Sequence, residues 1–281
     1  MEINRENIFT IFDENNIKPD KDYGQNFLVE LRVSSHIVDL LYLENDERVL
    51  EIGPGLGSLS HFLSFHSNDI DLLDIDFNMV GFLEKVYSKN KNINVILGDI
   101  RNHDVSSYDK IIGNLPYNLT TEIITYLLMN ATNTKRMVLM CQTEAYYHFY
   151  NTSGSEYGPV SVLLHLIANI NKAFLVSKGN FYPVPKVESI VFMIDFTNEV
   201  EREKAKKVYA FAKQLFLNRR KTILNNLTRY LKDKEMALNL LKYVDIMENL
   251  RPEQLSPNQY LALYDGLMLF KKTNSSILKE E

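Results

Sequence analysis

Cysteine is almost absent from this sequence of 281 residues, and Cys141 is the only one. An internal disulfide is therefore impossible, which is typical of proteins in a reducing compartment. Long apolar runs are also absent, because none approaches the roughly 18 residues that span a membrane. Residues 1–16 are polar and acidic, unlike a secretory signal or a transit peptide. These absences together predict a cytoplasmic protein.

Metal-ligand spacing is missing as well. The six histidines are scattered along the chain, whereas the ligands of a metal site usually come in closely spaced pairs. Cys141 ends an apolar run and is expected to be a buried thiol. The sequence therefore predicts no metal centre, and it suggests no Ser/His/Asp arrangement.

The net charge of −5 argues mildly against a nucleic-acid partner, since phosphate binding usually needs a cationic surface. The distribution of charge matters more than its sum. Residues 202–221 contain a single acid, Glu203, and eight basic residues: Arg202, Lys204, Lys206, Lys207, Lys213, Arg219, Arg220 and Lys221. A locally basic face is therefore possible on an acidic protein, and a solvated helix face is the alternative.

Short apolar runs alternate with helical patterns from residue 33 to about residue 170. Strands are expected at residues 48–52, 70–74, 93–97, 110–113 and 137–140, and a buried helix at residues 160–170. Strands separated by helices indicate a parallel sheet with helical crossovers. Residues 173–176 and 189–196 flank a proline-rich loop without a helix between them, so we expect an antiparallel pair at one edge. The predicted fold class is α/β and Rossmann-like.

The pattern becomes wholly helical after residue 196. Helices are expected over residues 205–216, 219–232, 234–243 and 257–270, from the spacing of their apolar residues. The sequence therefore predicts two domains, a larger one at residues 1–198 and a small helical one at residues 199–281.

A glycine-rich turn follows the first predicted strand, in the segment Glu51-Ile-Gly-Pro-Gly-Leu-Gly57. Gly53, Gly55 and Gly57 let the backbone turn tightly and approach a ligand with no Cβ in the way. The spacing is G-x-G-x-G rather than the G-x-G-x-x-G of dinucleotide sites, and Pro54 removes one amide donor. The turn therefore favours a nucleoside-bearing cofactor without phosphate, and NAD is the alternative.

Acidic residues follow the next two predicted strands. Asp74 ends the second strand with Asp76 close by, where a nucleotide ribose would place its hydroxyls. Asp99 follows the third strand, where a carboxylate can accept a hydrogen bond from an adenine amine. Ordinary exposed acids at strand ends are the alternative. Because open α/β sheets bind ligands at the carboxyl ends of their strands, these acids and the glycine turn together predict one site.

The tetrapeptide Asn114-Leu115-Pro116-Tyr117 follows the fourth predicted strand. The side-chain oxygen of Asn114 can accept a hydrogen from an exocyclic amine, whose lone pair is otherwise delocalised into the base. Pro116 fixes the turn, and Tyr117 offers a flat face for stacking. This pattern favours alkylation of adenine N6 by orientation and electrostatics, without a strong general base. A proline-containing turn with Asn as a cap is the alternative.

With these motifs the chain resembles the family of ribosomal RNA adenine N6,N6-dimethyltransferases of the KsgA type. The matching segments are residues 23–28, 51–57, 98–99, 113–117, 181–189 and 218–222. Their order and spacing match the family over nearly the whole chain. One departure is Asp74, where the family often has glutamate.

The resemblance implies a class I methyltransferase sheet and S-adenosylmethionine as the cofactor. Asn26 and Leu28 would contact the cofactor, and Gly53, with Gly55 and Gly57 in the same turn, would lie against it. The resemblance also implies that Asp74 holds the ribose, that Asp99 holds the adenine, and that Asn114 lies between the cofactor and the target amine.

Catalysis is assigned by the same resemblance to residues 114–117 and Phe181. Phe181 would stack on the face of a flipped adenine opposite Tyr117, and Arg219, Arg220 and Lys221 would contact RNA phosphates. The implied substrate is a pair of adjacent adenosines in the 3′-terminal hairpin of small-subunit rRNA, within an immature 30S particle. We expect a monomer with a role in small-subunit biogenesis.

Three other functions are open at this point. An adenine-N6 methyltransferase that acts on large-subunit rRNA would use the same pocket. A ribosome-assembly factor would bind precursor particles without needing catalysis, although the intact motifs argue against a purely non-enzymatic role. An NAD-linked oxidoreductase is the remote alternative.

Overall fold

The computed structural model describes residues 2–20, 24–66, 68–197 and 199–277. The chain divides into two compact units. Unit 1 comprises Met1–Tyr146 with Asn169–Phe196, and unit 2 comprises Tyr147–Ala168 with Thr197–Glu281. Within the described ranges, no helix has the length and apolar character needed to cross a membrane.

The strands and helices have the following bounds. The strands are β1 (Phe27–Leu28), β2 (Val49–Ile52), β3 (Ile70–Asp74), β4 (Ile93–Leu97), β5 (Lys110–Asn114), β6 (Arg136–Gln142), β7 (Ala168–Val176), β8 (Phe181–Tyr182) and β9 (Ser189–Phe196). The helices are α1 (Ile8–Asn15), α2 (Leu31–Asp39), α3 (Ser60–Leu63), α4 (Phe77–Tyr87), α5 (Thr120–Asn130), α6 (Thr143–Tyr150), α7 (Pro159–Ile167), α8 (Arg202–Phe216), α9 (Ile223–Leu231), α10 (Lys234–Tyr243) and α11 (Pro257–Ile277).

Seven of the strands form one sheet in the order β4-β3-β2-β5-β6-β9-β7. The neighbours among β2 to β6 pair in parallel, and β9 pairs with β6 in the antiparallel sense. The central strands β2 and β3 are buried along their whole length, as expected for a parallel sheet covered on both faces. The predicted Rossmann-like sheet, mostly parallel with an antiparallel edge, is confirmed.

Strand β7 begins earlier than the sequence pattern predicts. The predicted helix runs to residue 170, but α7 ends at Ile167 and Ala168 is already extended, with φ −154° and ψ 160°. From Ala168 onward, buried Ala168 and Ile170 alternate with exposed Asn169 and Asn171. That alternation has the period of a strand, so the apolar residues that extended the predicted helix belong instead to the sheet.

A separate two-stranded sheet is not predicted by the sequence pattern. Strand β1 pairs antiparallel with β8, with Phe27 opposite Tyr182 and Leu28 opposite Phe181. Helix α1 covers this pair, and the Phe12 ring lies 5.7 Å from the Phe27 ring and 5.8 Å from the Tyr182 ring. The segment before β2 is thereby tied to the loop that follows β7.

Unit 2 is built from helices whose ends are marked in the sequence. Thr222 accepts a hydrogen bond from the Asn225 amide and starts α9, and Asp233 starts α10 by accepting from the Met236 amide. The rings of Phe216 and Tyr260 stack with centroids 5.6 Å apart. Residues 147–168, including α7, cluster with these C-terminal helices, and the division at residues 198 and 199 stays a prediction.

Two glycines test how tightly unit 1 is packed. Gly113 in β5 is paired with Ile52, and a Cβ at Gly113 would lie 2.7 Å from the Ile52 carbonyl oxygen. We expect Gly113→Ala to destabilise the protein by about 1–3 kcal/mol, because backbone would have to move. Gly81→Ala is the matched control: it lies within α4 with open space around the added methyl, and should stabilise by up to about 1 kcal/mol. Urea unfolding of both variants measures the difference, and equal effects would contradict this packing.

Candidate active site

A pocket opens at the carboxyl ends of β2, β3 and β5. Because these strands are parallel neighbours, the turns that follow them reach the same edge of the sheet. Residues 24–28, 53–55, 74–75 and 114–117 line the pocket, which encloses about 790 Å³ including open solvent. A concave site at this edge of the sheet is where a small molecule or cofactor is expected to bind.

The glycine turn forms one wall of this pocket. Gly53 and Gly55 have φ values of 64° and 56°, in the left-handed region that favours glycine. A Cβ at Gly55 would lie 3.1 Å from the Phe27 ring, so the turn and β1 leave no room for a side chain. Gly57, also predicted to bind the cofactor, faces α4 instead, and a Cβ there would lie 3.0 Å from the Leu83 side chain.

Asp74 lies beside the glycine turn at the end of β3. Its Oδ2 accepts a hydrogen bond from the Gly55 amide at 3.0 Å, and its Oδ1 accepts from the Asp76 amide at 2.9 Å. Burial raises the pKa of Asp74 above its ordinary value. The adjacent Asp76 is bonded by Gln25, whose Nε2 lies 2.7 Å from Asp76 Oδ2. The predicted ribose-binding acid is therefore held in place by the backbone, at the pocket wall.

Asp99 lies in a neighbouring cavity that shares Ile75 with the first. The exposed apolar side chains of Phe77 and Leu97 also line it, and such surfaces suit a flat heteroaromatic ring. The Arg101 guanidinium binds the Asp99 carboxylate, with Nη2 2.6 Å from Oδ2. This hydrogen bond lowers the pKa of Asp99. The predicted adenine acceptor is thus ionised and already shares its oxygens with an arginine.

Asn114 places an unpartnered acceptor inside the pocket. Its Nδ2 donates to the backbone carbonyl of Asn26 at 3.2 Å, whereas its Oδ1 is buried with no hydrogen-bond partner in the described ranges. Leu115 anchors the turn, because its amide donates to the Met140 carbonyl at 2.9 Å. An acceptor left without a partner in this way costs about 1–3 kcal/mol, a cost that a hydrogen-bond donor of a ligand in the pocket would remove.

Tyr117 and Phe181 differ in where they lie. Tyr117 lines the pocket, and its hydroxyl is 3.2 Å from Ser189 Oγ. Burial raises the pKa of Tyr117, which keeps the phenol neutral. Phe181 is only 1% exposed and belongs to the hydrophobic core. It pairs with the pocket residue Leu28 but does not itself line the pocket. Its stacking on a flipped base stays a prediction.

Arg219, Arg220 and Lys221 do not form a uniform basic cluster in unit 2. Arg219 Nη2 donates to the backbone carbonyls of Gly154 at 3.3 Å and Ser155 at 2.9 Å, and its Nε lies 3.8 Å from Glu253 Oε2. Arg220 and Lys221 are exposed. Among the residues that the structure describes, neither of these two has an ion-pair partner, so two of the three predicted RNA-contacting cations are available to an anion.

Glu51 is a site residue to which sequence reasoning assigned no role. It is the penultimate residue of β2, two residues before Gly53. It lines the pocket and is 1% exposed. Ser60 Oγ donates to its Oε2 at 2.6 Å. Burial, reinforced by the nearby Asp74, raises the pKa of Glu51 to about 8. An acid two residues before the first glycine of such a turn is a visible signal in the sequence. The described residues include no group of three metal-ligating side chains.

Comparisons with known proteins agree on one family. A family model described as ribosomal RNA adenine dimethylase matches residues 16–268. The chain is 35% identical over 260 residues to ribosomal RNA small subunit methyltransferase A of Mycoplasma capricolum, covering 89% of this chain and 97% of that protein. It is 32% identical over 262 residues to the protein of the same name from Malacoplasma penetrans, covering 92% and 96%.

Two solved structures share the fold. A dimethyladenosine transferase from Plasmodium falciparum superposes with a TM-score of 0.73 at 24% identity, covering 88% of this chain and 98% of that one. The 23S rRNA methyltransferase ErmE superposes with a TM-score of 0.68 at 22% identity, covering 86% and 99%. At these identities the likeness concerns the fold alone.

The protonation of Glu51 gives a prediction about stability. Its folded pKa of about 8 exceeds the ordinary value of 4.5, so the folded state retains a proton that the unfolded chain has lost. This contribution to stability is complete below pH 4.5 and declines as pH rises, by about 1.4 kcal/mol per pH unit, until pH 8. We expect Glu51→Gln to remove this decline. The free energy of unfolding of the variant should therefore rise relative to that of wild type as the pH increases from 5 to 8.

Urea unfolding without ligand at several pH values measures this gain. Glu84→Gln, at an exposed position in α4, is the matched control and should follow wild type throughout. Parallel pH profiles for wild type and Glu51→Gln would show that the Glu51 carboxyl is not protonated in the folded protein.

Proposed function

This chain belongs to the ribosomal RNA adenine dimethylase family, and from that premise we propose a specific reaction for it. It is an S-adenosylmethionine-dependent methyltransferase. The proposed substrate is N6 of two adjacent adenosines in the 3′-terminal hairpin of 16S rRNA, the small-subunit RNA named in its relatives.

The unpartnered Oδ1 of Asn114 is the observation that carries this proposal. Bound S-adenosylmethionine supplies an electrophilic methyl group. The Asn114 oxygen accepts a hydrogen of the adenine amine, which turns the nitrogen lone pair away from the ring and towards the pocket. Tyr117 offers a face against which the extruded base can stack. Because the methylated nitrogen becomes acidic, its proton can pass to water, and no strong general base is needed.

The residues of the pocket fit S-adenosylmethionine. Gly53 and Gly55 present backbone in the left-handed region, and a Cβ at Gly55 would crowd the Phe27 ring. Asn26 and Leu28 line the same pocket. Asp74 is proposed to hold the ribose hydroxyls and Asp99 the adenine amine in the adjoining cavity, while Gly57 supports the turn from behind. Acidic groups around the pocket also suit a cofactor that carries a sulfonium cation.

The proposed partner is an immature 30S particle, in which the hairpin is still accessible. Arg220 and Lys221 are proposed to contact its phosphates, and the helices of residues 199–281 would carry that surface. The protein would act as a monomer in the cytoplasm, in small-subunit biogenesis.

Methyl transfer from labelled S-adenosylmethionine tests the reaction. Wild type should label unmethylated small subunits at the two adjacent adenosines and leave large subunits unlabelled. Asn114→Ala should reduce the rate by at least about 100-fold, the usual effect of removing one preorganised group from an active site, while the fold stays intact. Labelling of large subunits instead would contradict the proposed substrate. Full activity of Asn114→Ala would contradict the proposed role of the Asn114 oxygen.

The salt dependence of binding to small subunits tests the basic surface. Each phosphate contact contributes about 0.7–0.9 to the slope of log affinity against log salt. Arg220→Ala and Lys221→Ala should each lower the slope by about that amount without changing the melting temperature. Arg219→Ala is the matched comparison: because Arg219 bonds the backbone of residues 154–155, it should lower the melting temperature and leave the slope unchanged. An unchanged slope in the Arg220→Ala and Lys221→Ala variants would show that other residues contact the RNA phosphates.

A further inference from the structure

The backbone carbonyl of Asn26 determines which end of the Asn114 amide faces the pocket. A carbonyl oxygen only accepts hydrogen bonds, so the Nδ2 group 3.2 Å away must point to it and Oδ1 must point away from it. This orientation is chemically decisive. A reversed amide would present N–H donors to the hydrogens of an incoming amine and would repel it.

Gln25 fixes the segment that carries this carbonyl. Its Nε2 donates to Asp76 Oδ2 at 2.7 Å, and its Oε1 accepts from the Asp20 amide at 2.8 Å. Both ends of one side-chain amide are therefore used, and the bond to a carboxylate is the stronger kind. Among the residues that the structure describes, the Asn26 side chain makes one hydrogen bond, from its Nδ2 to the Gly24 carbonyl at 3.0 Å.

Asp76 is a firm anchor for Gln25. It is 5% exposed, its Oδ1 caps α4, and its amide donates to Asp74 Oδ1 at 2.9 Å. Asp74 in turn accepts from the Gly55 amide. A continuous path of hydrogen bonds and backbone therefore runs from the glycine turn, through two acids and Gln25, to the carbonyl that orients Asn114.

We propose that Gln25 is a positioning residue for methyl transfer: its bond to Asp76 holds the Asn26 carbonyl where it turns the Asn114 oxygen towards the target amine. The inference rests on the proposed function and deepens it. Gln25 acts through Asn26 and Asn114, so its loss slows the transfer step more than it weakens cofactor binding. It also links the acid proposed to hold the ribose to the group proposed to hold the amine.

Gln25→Ala tests this role, with turnover of small subunits and cofactor binding measured separately. We expect kcat to fall about 10- to 100-fold, while the Kd for S-adenosylmethionine, measured by calorimetry, changes less than about 3-fold. Gln25→Met keeps the length of the side chain without its donor, should behave in the same way, and replaces the alanine variant if that variant does not fold. Glu84→Gln, at an exposed position in α4 outside the proposed RNA surface, is the control and should leave both quantities unchanged.

The Asn114 side-chain amide gives a readout that is independent of catalysis. The NMR signal of the Asn114 Nδ2 group is identified as the one that disappears in Asn114→Ala. In Gln25→Met this signal should move to the chemical shift of an N–H group without a hydrogen bond. An unchanged signal, an unchanged kcat, or a Kd that weakens as much as kcat falls would each overturn the proposal. If wild type does not label small subunits, the proposed function fails, and the NMR measurement still decides the orientation of Asn114.

Discussion

The parallel register of β3, β2 and β5 is the constraint on which the whole site depends. Ile52 pairs with Leu73 on one side and with Gly113 on the other, so the chain leaves the sheet at the same level in all three strands. The glycine turn, Asp74 and Asn114 meet for that reason, although they are far apart in sequence. A slip of one residue in any of these strands would turn its side chains to the opposite face.

This register also gathers acids where little water reaches them. Glu51 and Asp74 lie near the carboxyl ends of the neighbouring strands β2 and β3, and burial raises the pKa of both. The fold tolerates them because each is hydrogen-bonded, Glu51 by Ser60 and Asp74 by two backbone amides. A cationic cofactor would favour the ionised forms of these acids, so its binding is expected to lower their pKa values.

The sequence could predict those parts of the site that are contiguous. The glycine turn, Asp74 and the segment 114–117 each adjoin a strand whose apolar run is visible, so a parallel sheet was enough to bring them together. Tertiary contacts could not be predicted in this way. The pairing of β1 with β8 involves two residues on each side, too few for a period. The run at residues 219–221 looks uniformly basic in sequence, yet the structure commits Arg219 to neighbouring backbone carbonyls.

The buried oxygen of Asn114 is a group that the proposed function requires but that lowers the stability of the fold. An acceptor without a donor lowers stability by about 1–3 kcal/mol. A reversed amide would place the Asn114 oxygen against the Asn26 carbonyl oxygen and would leave the Asn114 N–H group without an acceptor. The Asn26 carbonyl removes that freedom, so the unsatisfied group is always the acceptor. Among the described residues that line the pocket, this is the one buried side-chain oxygen without a hydrogen-bond partner. An unsatisfied polar atom inside a ligand pocket is where a functional group is expected to break the rules that its scaffold keeps. The amine of a bound adenine is the donor that would complete it.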